Sequence, residues 1–212
     1  MSRIGTVASG VGITTVLPIQ YNIPQALYFE VATTPQAIKI NVNGETVIFD
    51  LDTAGLNVMK NIASNGSPTS GFLFMLATGF IPDKNLEITV VNNVASAFDV
   101  FAVNDKWAPL YNGKRYAVQT LGVQLNASQN FDLSNFYYAG IPSLVTLDVF
   151  NWRTRAGFSN RQEPETVRGY LQYYENNAGN KLAIDNRDGK FASINLQPNA
   201  AQKIYYSRLV EL

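Results

Sequence analysis

Short runs that alternate apolar and polar residues, cut apart by Asn-Gly, Asn-Asn and Asp-Gly dipeptides, recur along most of this chain. That punctuation constrains the fold more than any other feature. Residues 36–42 place Ile38, Ile40 and Val42 on one face, and residues 45–51 place Val47, Phe49 and Leu51 on one face. Asn43-Gly44 lies between them. Asn-Gly between two alternating runs is the strongest short-range hairpin signal, because both turn residues must accept positive φ. Further runs at 26–32, 86–91, 97–103, 110–118, 119–125, 144–152, 166–174, 181–184, 190–196 and 204–210 read as strands. The stretch 72–78, apolar on both faces, reads as a buried one. Roughly twelve to fourteen short strands at this spacing predict a sandwich or barrel.

One segment breaks the pattern. In residues 52–64, Leu56, Met59, Ile62 and Ala63 fall at helical spacing. Asp52 or Thr53 can cap its start, and Asn65-Gly66 with Pro68 stop it. The interval 126–142 has no clear period and predicts a long loop. Residues 1–23 are Gly-rich and uncharged after Arg3, which predicts an extended arm preceding a β-sandwich over 24–212, with a subdivision near 105–125. No fixed-period sequence repeat is visible.

The residues that are missing limit the chemistry. Among 212 residues there is no histidine and no cysteine, so imidazole proton transfer, thiolate catalysis, disulfides and Cys/His metal cages are all excluded. No G-x-S-x-G, P-loop or G-x-G-x-x-G occurs. Residues 184–189 (IDNRDG) imitate part of a calcium loop, but the first ligand position is Ile184 and the twelfth is Asn195 where Glu is required. Asp188-Gly189 is better read as a β-turn. Asp50 with Asp52 and Glu163 with Glu165 are the acid pairs available for a histidine-free glycoside hydrolase. Sixteen acids in the chain make such pairs common by chance. The reading is therefore of a non-enzyme, with no catalytic residue, no cofactor and no metal.

Lys+Arg and Asp+Glu are 16 each, so the net charge is zero, which disfavours a general polyanion binder and any sequence-specific nucleic-acid role. Charged residues are 15% of the chain, against about 25% in an average domain. Asn, Gln, Ser and Thr must build the polar surface. Arg153, Arg155, Arg161 and Arg168 cluster after the 144–152 strand, with Trp152 and Phe158 among them. Arg with aromatic residues marks interface hot spots. Tyr137-Tyr138 is one of three adjacent tyrosine pairs, and strand alternation sends one of each pair outward. These eight residues are the candidate subunit-interface set. The longest apolar stretch, 71–81, is about half the ~20 residues of a bilayer span, and the N-terminal segment does not read as a secretion signal.

The run at 86–105 (LEITVVNNVASAFDVFAVND), a strand, a polar turn and a strand, resembles a unit of the jelly-roll capsid proteins of tailless icosahedral bacteriophages. The run at 196–212 (LQPNAAQKIYYSRLVEL), a loop and a last sheet strand, is similar to the same family. The resemblance implies an all-β, jelly-roll-type antiparallel β-sandwich with one short helix, either a single elaborated jelly roll or a minimal double one. It also implies a capsid subunit that assembles with copies of itself, as trimers or pentamers within a shell, and with other virion proteins. The 1–23 arm, with Val11, Ile13, Val16, Leu17 and Ile19, would then face an internal membrane surface. The expected location is the virion, after synthesis in the host cytoplasm. The rival reading is a phage receptor-binding or tail protein, or a carbohydrate-binding sandwich, using exposed Tyr, Trp, Asn and Gln.

Overall fold

The computed structural model describes residues 1–63, 71–77, 80–104, 116–132, 136–141, 147–154, 159–162, 182–185, 191–198 and 200–212. The chain divides into two compact units, Met1–Leu121 with Leu209–Leu212, and Gly122–Arg208. The division falls inside a strand.

The first unit contains β1 (Ser2–Val7), β2 (Thr14–Ile19), β3 (Asn22–Ile23), β4 (Ala26–Phe29), β5 (Ala37–Val42), β6 (Thr46–Asp52), α1 (Thr53–Ala63), β7 (Phe72–Met75), β8 (Ile81–Pro82), β9 (Leu86–Val91), β10 (Phe98–Val103) and the start of β11 (Ala117–Leu125). One sheet has the order β1-β10-β4-β7, and the other has β2-β9-β5-β6, with β11 running parallel beside β6 at Thr120↔Phe49. Count the eight principal strands among the described residues from 1 to 8, leaving out the small β3–β8 ribbon. The sheets then read 1-8-3-6 and 2-7-4-5, the wrapping of a jelly roll.

The 5.0 Å approach of the Phe49 and Phe74 rings joins the two sheets. Phe29 and Phe72 stack at 5.4 Å beside them. Each of the four rings is at most 4% exposed, so this cluster removes a large apolar area from water. Gly5 lies under the Leu17 side chain, 2.8 Å from where a Cβ would sit, which lets β1 and β2 approach. Gly71 meets the Phe29 carbonyl oxygen and the Tyr28 ring at the position a Cβ would occupy, so no larger residue fits there.

Local rules set the β5–β6 hairpin and the helix. Asn43 (φ 50°) and Gly44 (φ 78°) both take positive φ, and Glu45 N donates to Val42 O at 3.1 Å. The Asp52 carboxylate accepts from Gly55 N at 3.0 Å and caps α1. Thr53 Oγ1 donates to Gln36 O at 3.1 Å, and Leu56 and Val58 are buried. The helix packs against β6 and β7.

The second unit holds the rest of β11, then β12 (Gln129–Asp132), β13 (Phe136–Ile141), β14 (Leu147–Thr154), β15 (Ser159–Gln162), β16 (Leu182–Asp185), β17 (Phe191–Pro198) and β18 (Gln202–Val210). Its strand orders are β11-β18-β13-β16 and β12-β17-β14-β15. Counted from β11, these are again 1-8-3-6 and 2-7-4-5. The fold is thus a double jelly roll. It fits 212 residues because β12, β15 and β16 are only four residues each.

Two expectations change. The interval 126–142 is not a loop. It carries β12, paired with β17 at Phe131↔Ile194, and β13, paired with β18 at Tyr138↔Ser207. Long-range pairing supplies the order that local periodicity does not show. Residues 1–23 contribute strands to both sheets of the first unit. β1 pairs with β10 from Ser2↔Ala102 to Val7↔Phe98, and β2 pairs with β9 from Thr14↔Val91 to Ile19↔Leu86. Val7 and Leu17 are core residues, so this segment is anchored by burial. The turns at 65–66, 112–113 and 188–189, the strand at 166–174 and the acid pair Glu163 and Glu165 lie outside the described residues.

Candidate assembly surfaces

At one end of the first unit the chain crosses between the sheets, and Asn92 holds the crossings together. The polar dipeptide Asn92-Asn93 looks in sequence like a reversal from β9 to β10, but β9 and β10 belong to opposite sheets. The turn therefore carries the chain over the edge of the core. Asn92 is 0% exposed. Its Nδ2 donates to Ala8 O at 2.7 Å and to Ser96 O at 3.1 Å, and its Oδ1 accepts from Val94 N at 2.9 Å. Its main chain donates to Ile13 O at 2.9 Å and accepts from Gly12 N at 2.8 Å. Asn93 Nδ2 donates to Thr34 O at 3.0 Å. A buried amide that meets its partners fixes geometry, because any other arrangement leaves a polar atom dry and unpaired.

Asn92 thereby positions the start of β2, and here the exposed apolar residues begin. Val11 is 61% exposed, Ile13 47% and Val16 52%. Leu17, expected among the arm's outward residues, is instead 7% exposed and part of the core. Strand alternation explains this: Thr14, Val16 and Pro18 face out, while Leu17 faces the opposite sheet.

A second surface lies at the β3–β8 ribbon. Tyr21 is 71% exposed and Phe80 is 41% exposed. Tyr21 has φ 60° and Asp83 has φ 61°, an uncommon backbone state for residues other than glycine. The conformation is held from several sides. Tyr21 N donates to Asn85 Oδ1 at 2.9 Å, Asp83 N donates to Tyr21 O at 3.1 Å, and Asn85 N donates to Asn43 Oδ1 at 2.9 Å. Sequence reading noticed the abundance of Asn but assigned no role to Asn43, Asn85 or Asn92 beyond turns. Their work is to join loops that are distant in sequence, and a local pattern carries no sign of that.

On β1, Arg3 Nε sits 2.8 Å from Asp99 Oδ2, and Thr6 Oγ1 donates to Asp99 Oδ1 at 2.6 Å. Arg3 also donates to Thr6. The hydrogen bond from Arg3, then that from Thr6, hold the Asp99 carboxyl below its ordinary value of 3.8.

The interface set read from the sequence falls into separate places in the second unit. Trp152 and Arg153 are on β14 and Arg161 is on β15, where Asn151↔Arg161, Trp152↔Asn160 and Arg153↔Ser159 are level. Tyr137 and Tyr138 are on β13, in the other sheet. Arg155, Phe158 and Arg168 lie outside the described residues. Of the acid pair in the first unit, Asp52 caps α1, and Asp50 lies level with Lys39 on β5. Among the described residues no group of three or more acidic side chains is placed to hold a metal ion, and no helix is long and apolar enough to cross a membrane.

No family model and no curated protein sequence matches the chain. Solved structures do. The major capsid protein P2 from bacteriophage PM2 superposes with a TM-score of 0.61 at 10% identity, over 99% of this chain and 97% of that one. A chain in the atomic structure of Sulfolobus Turreted Icosahedral Virus gives 0.58 at 9% identity, over 97% and 88%. The STIV MCP gives 0.57 at 10% identity, over 97% and 93%. At these identities the likeness is one of fold, and it runs nearly end to end. The jelly-roll architecture expected from the resemblance is the architecture this chain has.

Proposed function

We propose that this chain is a virion structural protein, a capsid subunit that self-assembles into an icosahedral shell. The observation that carries the reading is the jelly-roll strand order, present twice in one chain and matched along nearly the full length of a major capsid protein. The role is non-enzymatic: two jelly-roll sandwiches supply shape, and their surfaces meet symmetry-related copies. Zero net charge favours this, because copies approach without net repulsion.

Trimers or pentamers are the building blocks under this reading, with other virion proteins as further partners and the virion as the location. Trp152, Arg153 and Arg161, with Arg155, Phe158, Arg168, Tyr137 and Tyr138, remain proposed subunit contacts. If the shell encloses a membrane, Val11, Ile13 and Val16 are the members of the Val11, Ile13, Val16, Leu17 and Ile19 set exposed enough to touch it.

Native mass spectrometry with negative-stain imaging, over a range of salt and protein concentration, tests the proposal. Trimers, pentamers or closed shells are the expected result. A monomer under every condition overturns it and favours the receptor- or carbohydrate-binding reading, for which the exposed Tyr21 and Phe80 rings would be the first residues to mutate.

A further inference from the structure

A sheet edge presents unpaired N–H and C=O groups, and proteins normally blunt it with charge, bulges or cover. Three of the four edges in the first unit are treated in this way. β1 carries Arg3 and a register shift between Arg3 and Gly5. β6 is covered by β11. β7 is flanked by α1, and just beyond it Ala77 bridges to Ala117. The fourth edge, β2, is different. β1 meets it through Leu17 and Thr15, on the core side of the strand, but among the described residues no strand pairs with its outer edge. It keeps six consecutive pairs with β9 without a bulge and lies in a stretch with no charged residue between Arg3 and Glu30.

The open groups on β2 can be identified. Asn92 N bonds Ile13 O, which sets the parity of the ladder. The Ile13 carbonyl and the main-chain groups of Thr15, Leu17 and Ile19 turn toward β9, whereas Ile13 N–H donates to Gly10 O; Thr14, Val16 and Pro18 turn their main-chain groups outward. Pro18 has no N–H, which suits an outward position. The outward set is then the donors of Thr14 and Val16 and the acceptors of Thr14, Val16 and Pro18.

We propose that this edge pairs with β2 of a second copy of the chain, antiparallel, about a two-fold axis at Val16. In that register Val16 N–H and C=O exchange bonds with Val16 of the second copy. Thr14 N–H donates to Pro18 C=O across the axis, twice, and the missing proline donor falls opposite Thr14 C=O, which can turn to water. Of the registers centred on Thr14, Val16 or Pro18, this one pairs the most of β2 with itself, five of its six residues, and sets Ile19 opposite Ile13. The contact is self-complementary, as a two-fold interface must be. The uncharged stretch sets no like charges against each other, and the half-exposed Val16 side chains cover one another. The pairing names a surface and a partner within the shell-subunit reading and rests on it.

The chain has no cysteine, so a single introduced one reports the contact directly. In a hydrogen-bonded antiparallel pair the Cα atoms lie about 5.5 Å apart, inside the disulfide range. Val16→Cys in the full-length protein is expected to form a covalent dimer under mild oxidation. Lys39→Cys, in the same row but two strands further in, would be more than about 20 Å from its mate and stay uncoupled. The two-fold contact joins one building block to the next, so Val16→Lys is expected to weaken the association of building blocks into larger assemblies by about tenfold or more in native mass spectra, with the circular dichroism and melting transition of the parent. If the protein assembles, but Val16→Cys couples no better than Lys39→Cys and Val16→Lys changes nothing, the pairing is overturned and the shell reading stands. If the parent is monomeric throughout, both fall.

Discussion

The two jelly rolls share a strand order and differ in how they treat a buried amide. In the first, Asn92 is sealed at a sheet crossing and both atoms of its amide are bonded. In the second, Gln202 Nε2 and Oε1 are both buried and have no hydrogen-bond partner among the described residues. An amide that is buried and satisfied organises the chain around it, whereas one that is buried and unsatisfied costs stability. The same topology is thus reached once with a tied polar corner and once with a polar group left over.

The largest effect is expected from Asn92→Ala. It leaves Ala8 O, Ser96 O and Val94 N without their partner, at about 3 kcal/mol or more in total. Urea unfolding measures the loss. Hydrogen exchange should show it first at the sheet crossings, with the amides of 122–208 keeping their protection. Loss of protection throughout would mean that the two units unfold as one, and the comparison would have to be redrawn.

Gln202→Met should move stability in the opposite direction. It keeps the side-chain length and removes two unpaired polar atoms, so a gain of about 1–2 kcal/mol is expected. A loss of similar size would show that the amide is partnered in solution, and the contrast with Asn92 would disappear.

The smallest effect is at the exposed Arg3–Asp99 pair. Asp99 has a lowered pKa in the folded state, so its contribution is complete above about pH 4. It is lost as the pH falls through the lowered value. The melting temperature of Asp99→Asn should therefore lie slightly below the parent's at neutral pH and converge with it in acid. A gap that widens in acid would reverse the sign of the argument.

What the sequence revealed follows from the reach of each signal. The β5–β6 hairpin was legible because Asn43-Gly44 decides it within a few residues, and α1 because Asp52 and the apolar spacing act within one helix. The turn at Asn92-Asn93 was visible, but whether it reverses the chain or carries it to the other sheet depends on Ala8 and Ile13, about eighty residues earlier. β12 and β13 were missed because their order comes from β17 and β18. The aromatic tip at Tyr21 was hidden for the same reason, since it depends on Asn43 and Asn85. Composition did predict a surface poor in charge, and the uncharged β2 edge is one local form of it.

The Ser2↔Ala102 register has a consequence for biosynthesis. β1 cannot pair until β10 has been made, about a hundred residues later, which at typical translation speeds is roughly 5–20 seconds. β2 waits almost as long for β9. During that interval a segment with Arg3 as its one charged residue has no native partner, and on a polysome neighbouring nascent chains carry the same segment at high local concentration. The timing of translation thus becomes part of what separates ordered assembly from premature association.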